Sequence, residues 1–206
     1  MPTKNPDNTR RRPKQSRSIN TVESILQAAE ELFLKQGFDS ATVEQIAKRA
    51  GVGIGSIYDY FPNKISIALA LLESVSAMIA NDSKTYFIEF GRESIEESMP
   101  KVIRKVFGSY KRHKNIVITL VESAPELRLA AELYSVEKLI YRASLIYLQI
   151  YEDNFAGKNL NTAHALLNQV FAASIKQYLS DENPQLSEEE FLQELSNMFL
   201  AYIIKP

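Results

Sequence analysis

The stretch Thr42–Lys64, T-V-E-Q-I-A-K-R-A-G-V-G-I-G-S-I-Y-D-Y-F-P-N-K, decides how this 206-residue chain folds. Thr42 is placed to cap a helix, and Gln45 three residues later completes a capping box. Val43, Ile46, Ala47 and Ala50 recur at helical spacing as one apolar face. Gly51 suits the left-handed position that closes a helix. A second short helix, over 54–60, carries Ile57 and Phe61 four apart as buried anchors and turns Ile54, Ser56, Tyr58 and Tyr60 outward. A helix, a glycine turn and a second helix with small and hydroxyl residues near its start form a helix-turn-helix reading head.

Working outward, the periodicity predicts helix almost everywhere after residue 18. A helix over 20–36 places Val22, Ile25, Leu26, Ala29, Leu32 and Phe33 on one face and ends at Gly37. A long helix is expected from Asn63, behind Pro62, toward Phe90, with Gly91 as its stop. Its Ala68, Leu71, Leu72, Val75 and Ile79 are apolar on more than one side. Ser94 with Glu97 is a capping box for a fifth helix, whose regular part Pro100 places nearer Ser98. The β-branched run I-V-I-T-L-V at 116–121 resembles a strand, but it lacks a partner strand and is read as a short buried helix. Ser123-Ala124-Pro125-Glu126 opens a helix expected to reach Tyr151, followed by a loop over 153–161. Two amphipathic helices close the chain, over 160–180 and 187–204, the second capped by Ser187 with Glu190. The expectation is an all-α chain of about nine helices. Its domains are a basic flexible arm at 1–17, a helix-turn-helix domain at 18–64 and a helical domain at 65–206.

Zero cysteines exclude a disulfide framework and a thiolate nucleophile, and are compatible with a reducing cytosol. The two histidines, His113 and His164, lie far apart, and neither has a partner at metal-ligand spacing. No phosphate-cradling glycine loop or nucleophile–base pair is apparent, so no enzyme, no metal and no cofactor is expected. The apolar runs fall short of a membrane span and the arginine-rich start is no secretory signal, which points to a cytoplasmic protein. The net charge is −1, unevenly placed: residues 1–17 carry +5 and the remainder −6. Such an arm is either a solvated tail or, ahead of a helix-turn-helix, a contact to phosphates and the minor groove.

The run Ile25, Ala28-Ala29, Leu32-Phe33, Gly37-Phe38, Thr42-Val43, Ile46-Ala47, Ala50-Gly51-Val52, Gly55, Ile57-Tyr58, Tyr60-Phe61 and Asn63-Lys64 resembles the tetracycline-repressor (TetR) family. The resemblance covers about the first third of the chain. It implies double-stranded DNA as partner, phosphate or thymine-methyl contact by Tyr58 and phosphate contact by Tyr60, with packing as the rival role for one of them. Thr42 can hold a phosphate at a helix N-terminus or act as a plain N-cap, and Lys64 is expected to clamp a phosphate. Base reading falls to Gly53, Ile54, Gly55 and Ser56. No Arg, Lys, Asn or Gln stands between Gly51 and Phe61, so the bidentate contacts to guanine or adenine are missing. Affinity and A·T preference are therefore expected from Arg10, Arg11, Arg12 and Arg17.

The resemblance also implies a homodimer built on the last two helices and a ligand cavity between the middle ones. Leu167, Val170, Phe171, Ile175, Leu195, Phe199 and Tyr202 are the candidate interface, with ordinary core as the alternative. Phe87, Phe107, Tyr110, His113, Tyr134 and Tyr141 are the candidate ligand contacts, with the same alternative. The function read from these features is a repressor that binds a palindromic operator and is released by a small hydrophobic or aromatic effector. The alternatives are an activator and a ligand-independent architectural DNA-binding protein.

Overall fold

A computed structural model describes residues 16–128, 135–155 and 157–204. Among them every regular element is helical and there is no strand. In chain order these are α1 (Ser16–Gln36), α2 (Val43–Ala50), α3 (Ile54–Tyr60), α4 (Lys64–Phe90) and α5 (Ile95–Ser123), then α6 (Val136–Gln149), α7 (Leu160–Ser180) and α8 (Glu188–Ile203). A 3-10 turn, Glu152–Phe155, stands between α6 and α7 where a loop was expected. The chain divides into two compact units, and the division falls inside α4, after Glu73. Among the described residues the first unit comprises 16–73 and 119–128, the second 74–118, 135–155 and 157–204.

The first unit is a three-helix head with the opening of α4 behind it. The apolar stripe of α1 turns inward as its spacing requires: Val22, Ile25, Ala29 and Phe33 are buried. Gly37, at φ +81°, donates its N–H to Phe33 O (3.0 Å) and ends the helix. Ile46 and Ala47 of α2, Ile57 of α3, Phe61, and Ile67 and Ala68 of α4 are buried with them. Each such Ile or Phe contributes about 1.5–3 kcal/mol by leaving water. Asn63 caps α4, accepting from Ser66 N–H at 2.8 Å while its own N–H donates to Ser66 Oγ at 3.2 Å.

Three sequence expectations are corrected. Helix α5 is regular from Ile95, with Pro100 inside it. Proline there removes one bond to Glu96 O, and that residue is exposed, so water can replace the bond. The β-branched run at 116–121 is the last part of this same helix, because Ile116 and Leu120 fall four apart on a buried face and packing outweighs propensity. The helix expected from Pro125 to Tyr151 is not one element. Residues 125–128 are helical, 129–134 lie outside the described residues, and Ser135 is extended (φ −60°, ψ 139°) ahead of α6.

By length and composition Lys64–Phe90 is apolar enough to cross a membrane, contrary to the sequence expectation. Its Ile67, Ala68, Ala70, Leu71, Leu72, Val75, Ile79 and Ala80 are buried inside the protein, as in a core helix. The two closing helices match their expected spans closely. Asn159 caps α7 through Thr162 N–H (3.0 Å), and Ser187 with Glu190 forms a full capping box on α8.

Candidate nucleic-acid interface and internal cavity

The start of the reading head is fixed by side chains. Gln45 N–H donates to Thr42 Oγ1 (3.2 Å) and Thr42 N–H to Gln45 Oε1 (3.0 Å), closing the capping box. Gln36 Nε2 donates to the same Gln45 oxygen (2.9 Å) and to Ser40 O (3.0 Å), so the end of α1 sets where α2 begins. At the other end Gly51 adopts φ +70°. Its N–H reaches Lys48 O (3.3 Å) and Val52 N–H reaches Ala47 O (3.1 Å), the paired bonds of a Schellman ending.

That turn presents α3 with Ile57 and Phe61 buried and Ile54 (41 % exposed) and Tyr58 (50 % exposed) outward. Ser56 and Tyr60 are half-buried. Gly53 and Gly55 are exposed. A Cβ on Gly55 would meet nothing within 4 Å, and one on Gly53 only Ser56 Oγ at 3.9 Å, so the head itself does not require glycine at either place. Thr42 is exposed beside this face. Arg10, Arg11 and Arg12 and the side chain of Arg17 lie outside the described residues.

Lys64 is corrected. Its ammonium donates to Phe38 O (2.7 Å), Asp39 O (3.0 Å) and Ala41 O (2.9 Å) and sits 4.4 Å from the centre of the Phe38 ring. A lysine has three N–H donors, and all three are used. The residue ties the α1–α2 connection to the start of α4 and has no proton left for a phosphate.

The second unit contains a cavity of about 70 Å³. Its wall is built from Phe87 of α4, Met99, Val102, Ile103 and Val106 of α5, Ile140, Ser144, Tyr147 and Leu148 of α6, His164, Leu167, Asn168 and Phe171 of α7, and Phe199 of α8. Tyr147 stacks on Phe87 at 5.2 Å between ring centres and shares a 2.7 Å hydrogen bond with Ser98 Oγ. Burial pushes the Tyr147 phenol well above its ordinary pKa, so it remains protonated. Burial also lowers the pKa of His164, keeping the ring neutral.

Of the expected ligand contacts among the described residues, only Phe87 lies in this wall. Phe107 follows Val106 but turns about 100° around the helix, onto Tyr178 (5.9 Å) and Phe191 (6.0 Å). Tyr110 donates to Glu137 Oε1 (3.1 Å), a carboxylate that also pairs with Lys176 (3.1 Å). Burial first, then Glu137, raises the Tyr110 pKa. His113 is seven residues beyond Val106, about 10 Å further along α5. Tyr141 is partly exposed, its ring set edge-on to His164 at 4.5 Å. Tyr134 lies outside the described residues. Sequence reasoning missed Ser144, His164 and Asn168. A signal existed for His164, a polar residue on the same helical stripe as Leu160, Leu167 and Phe171.

Of the expected interface residues, Leu167, Ile175, Leu195 and Phe199 are buried within the single chain and belong to its core. Val170, Phe171 and Tyr202 are half-buried. The large apolar side chains left exposed on these helices are Leu166 (46 % exposed) and Met198 (48 % exposed), both members of the apolar stripes that the sequence places on the two closing helices.

Comparison with known proteins places this head. Residues 25–71 match the family model described as bacterial regulatory proteins, tetR family. The chain is 31 % identical over 106 residues to YvdT, an uncharacterized HTH-type transcriptional regulator of Bacillus subtilis, covering 52 % of this chain and 53 % of the relative. It is 33 % identical over 114 residues to the fatty acid metabolism regulator protein of the same organism, covering 50 % and 55 %. These matches span about half the length of each relative. A crystal structure of a protein from Mesorhizobium loti, described as a TetR-family transcriptional regulator, superposes with a TM-score of 0.73 at 16 % identity, covering 91 % of this chain and 97 % of that one. The structural likeness extends the shared fold beyond the head. Residues 25–71 are thus similar to the N-terminal head of the tetR family of bacterial regulatory proteins, and the rest of the chain shares the fold of its solved structures.

Proposed function

We propose that this chain is a DNA-binding transcriptional regulator, acting as a repressor on a palindromic operator and released by a small, mainly apolar effector. One observation carries the reading most directly: two exposed glycines flank Ile54 on α3 although the fold needs neither. A backbone without side chains can approach the floor of a groove, and Ile54 can meet a thymine methyl there. Thr42, Ser56, Tyr58 and Tyr60 supply hydroxyls around that face for phosphates, and the basic arm adds charge from the minor-groove side.

A single α3 contacts too little DNA, so the reading includes a two-fold dimer with half-sites about 34–36 Å apart. The outward faces of α7 and α8, with Leu166, Val170, Met198 and Tyr202, support a pairing of those helices between copies. The cavity in the second unit supports an effector. A coupling of about 1–3 kcal/mol between cavity and operator corresponds to roughly 5–150-fold relief. The test is selection of bound sequences from random DNA by the full chain. Enrichment of one palindrome by about 10³-fold over random DNA is expected. Uniform recovery of unrelated sequences overturns the reading.

A further inference from the structure

Buried hydroxyls in the second unit are satisfied. Ser83 donates to Ile79 O (2.7 Å), Ser98 pairs with Tyr147, Ser109 donates to Asp82 Oδ2 (2.9 Å) and Ser196 to Leu192 O (2.7 Å). His164 differs. It is 1 % exposed, its Nε2 lies 2.8 Å from Ser144 Oγ, and its Nδ1 has no partner. Among the described residues it is the one buried side-chain polar atom left unsatisfied. Such atoms are uncommon in folded proteins and call for a reason.

The bonds of Ser144 decide what Nδ1 can do. Its Oγ lies 3.1 Å from both Ile140 O and Tyr141 O. A helical serine gives its proton back to a carbonyl of the preceding turn. Ser144 must then accept from the ring, so the imidazole proton is on Nε2. That leaves Nδ1 as an acceptor with a free lone pair, beside a wall that is otherwise almost wholly apolar. Asn168 lies one turn further along α7 in the same wall.

The volume narrows the occupant. A cavity of about 150 Å³ lined by Leu, Ile and Phe admits benzene. At about 70 Å³ this one is smaller. A single ring therefore enters only if the wall gives way, and Met99, unbranched and flexible, is the lining side chain best able to shift. Phe87, Phe171 and Phe199 offer ring faces and edges to it.

From the orphaned acceptor in this wall we propose that the effector is a compact, uncharged, mainly apolar molecule whose hydroxyl donates to His164 Nδ1, as a phenol would. The proposal rests on the ligand-responsive reading given above, and its test is made without DNA. A carboxylate is disfavoured because an acceptor facing an anion repels it.

Phenol, toluene and benzoate are titrated into the full chain by calorimetry, with wild type, His164→Gln and His164→Leu. Glutamine can keep the contact to Ser144 while removing the Nδ1 acceptor, so thermal melting should show a folded protein. Phenol affinity is expected to fall about fivefold or more in both variants, the loss of one hydrogen bond, while toluene affinity changes little. Three results overturn the proposal: phenol and toluene responding alike to His164→Gln, benzoate binding most tightly, or no heat or thermal shift with saturating phenol. Operator release by phenol is measured separately. Phenol binding through His164 in a chain that selects no operator would refute the regulator reading and leave the site standing.

Discussion

Lys64 illustrates how a residue's type alone misleads. A lysine beside a reading helix invites a phosphate, yet its ammonium closes on three carbonyls from 38 to 41. Lys64→Met is expected to destabilise the head by about 1–3 kcal/mol, since a charged donor to several acceptors is lost. Denaturant unfolding reads this, and a variant with full stability but weakened DNA binding would return Lys64 to the phosphate. His164 makes a second residue-scale prediction. Burial holds its pKa below the unfolded value of about 6.5, so the unfolded chain takes up a proton that the folded chain refuses. Stability contributed by the neutral ring is complete above about pH 6.5 and declines as pH falls toward the lower folded-state value. His164→Gln should flatten the dependence of the unfolding midpoint in that window.

At the scale of elements, α2 and α3 were legible because local rules fix them. The Thr42–Gln45 box, the left-handed Gly51 and the Ile57–Phe61 pair each depend on residues within a few positions of one another. Gly55 is the element-scale test of function. A methyl group there meets open space, and alanine favours a helix over glycine by about 1 kcal/mol. Gly55→Ala should therefore leave thermal stability unchanged or raised while weakening operator binding at least severalfold. Equal DNA affinity would remove the close-approach role. Elsewhere the local rules failed. Pro100 and the β-branched run at 116–121 both argued for interruptions, but α5 runs through them because Ile103, Val106, Ile116 and Leu120 are buried along its length.

At the scale of the molecule, the proposed dimer lets folding and assembly be tested separately on α7 and α8. Leu195→Ala removes core and should cost about 2–5 kcal/mol in chemical unfolding. Met198→Glu alters an exposed side chain and should leave the monomer folded while shifting sedimentation from dimer toward monomer. If Met198→Glu leaves the assembly intact, the pairing face lies elsewhere. The basic arm belongs to this scale as well. Deleting residues 1–16 removes five cations, and each phosphate they neutralise adds about −0.9 to the slope of log affinity against log salt. Weaker operator binding with a flatter salt dependence is expected, and unchanged binding would show that α3 acts alone.

The sequence by itself determined the head: helix-turn-helix, glycine ending, buried anchors and the family they resemble, because capping and short-range periodicity are local. It also placed α7 and α8 closely, both through their apolar stripes and α8 through its Ser187–Glu190 cap. Tertiary structure alone decided which apolar residues are core, that Lys64 is enclosed, and that the cavity gathers residues from five helices around His164. A stripe tells which side of a helix avoids water. Whether a neighbouring helix, a second copy or a ligand covers that side depends on residues far apart in the chain.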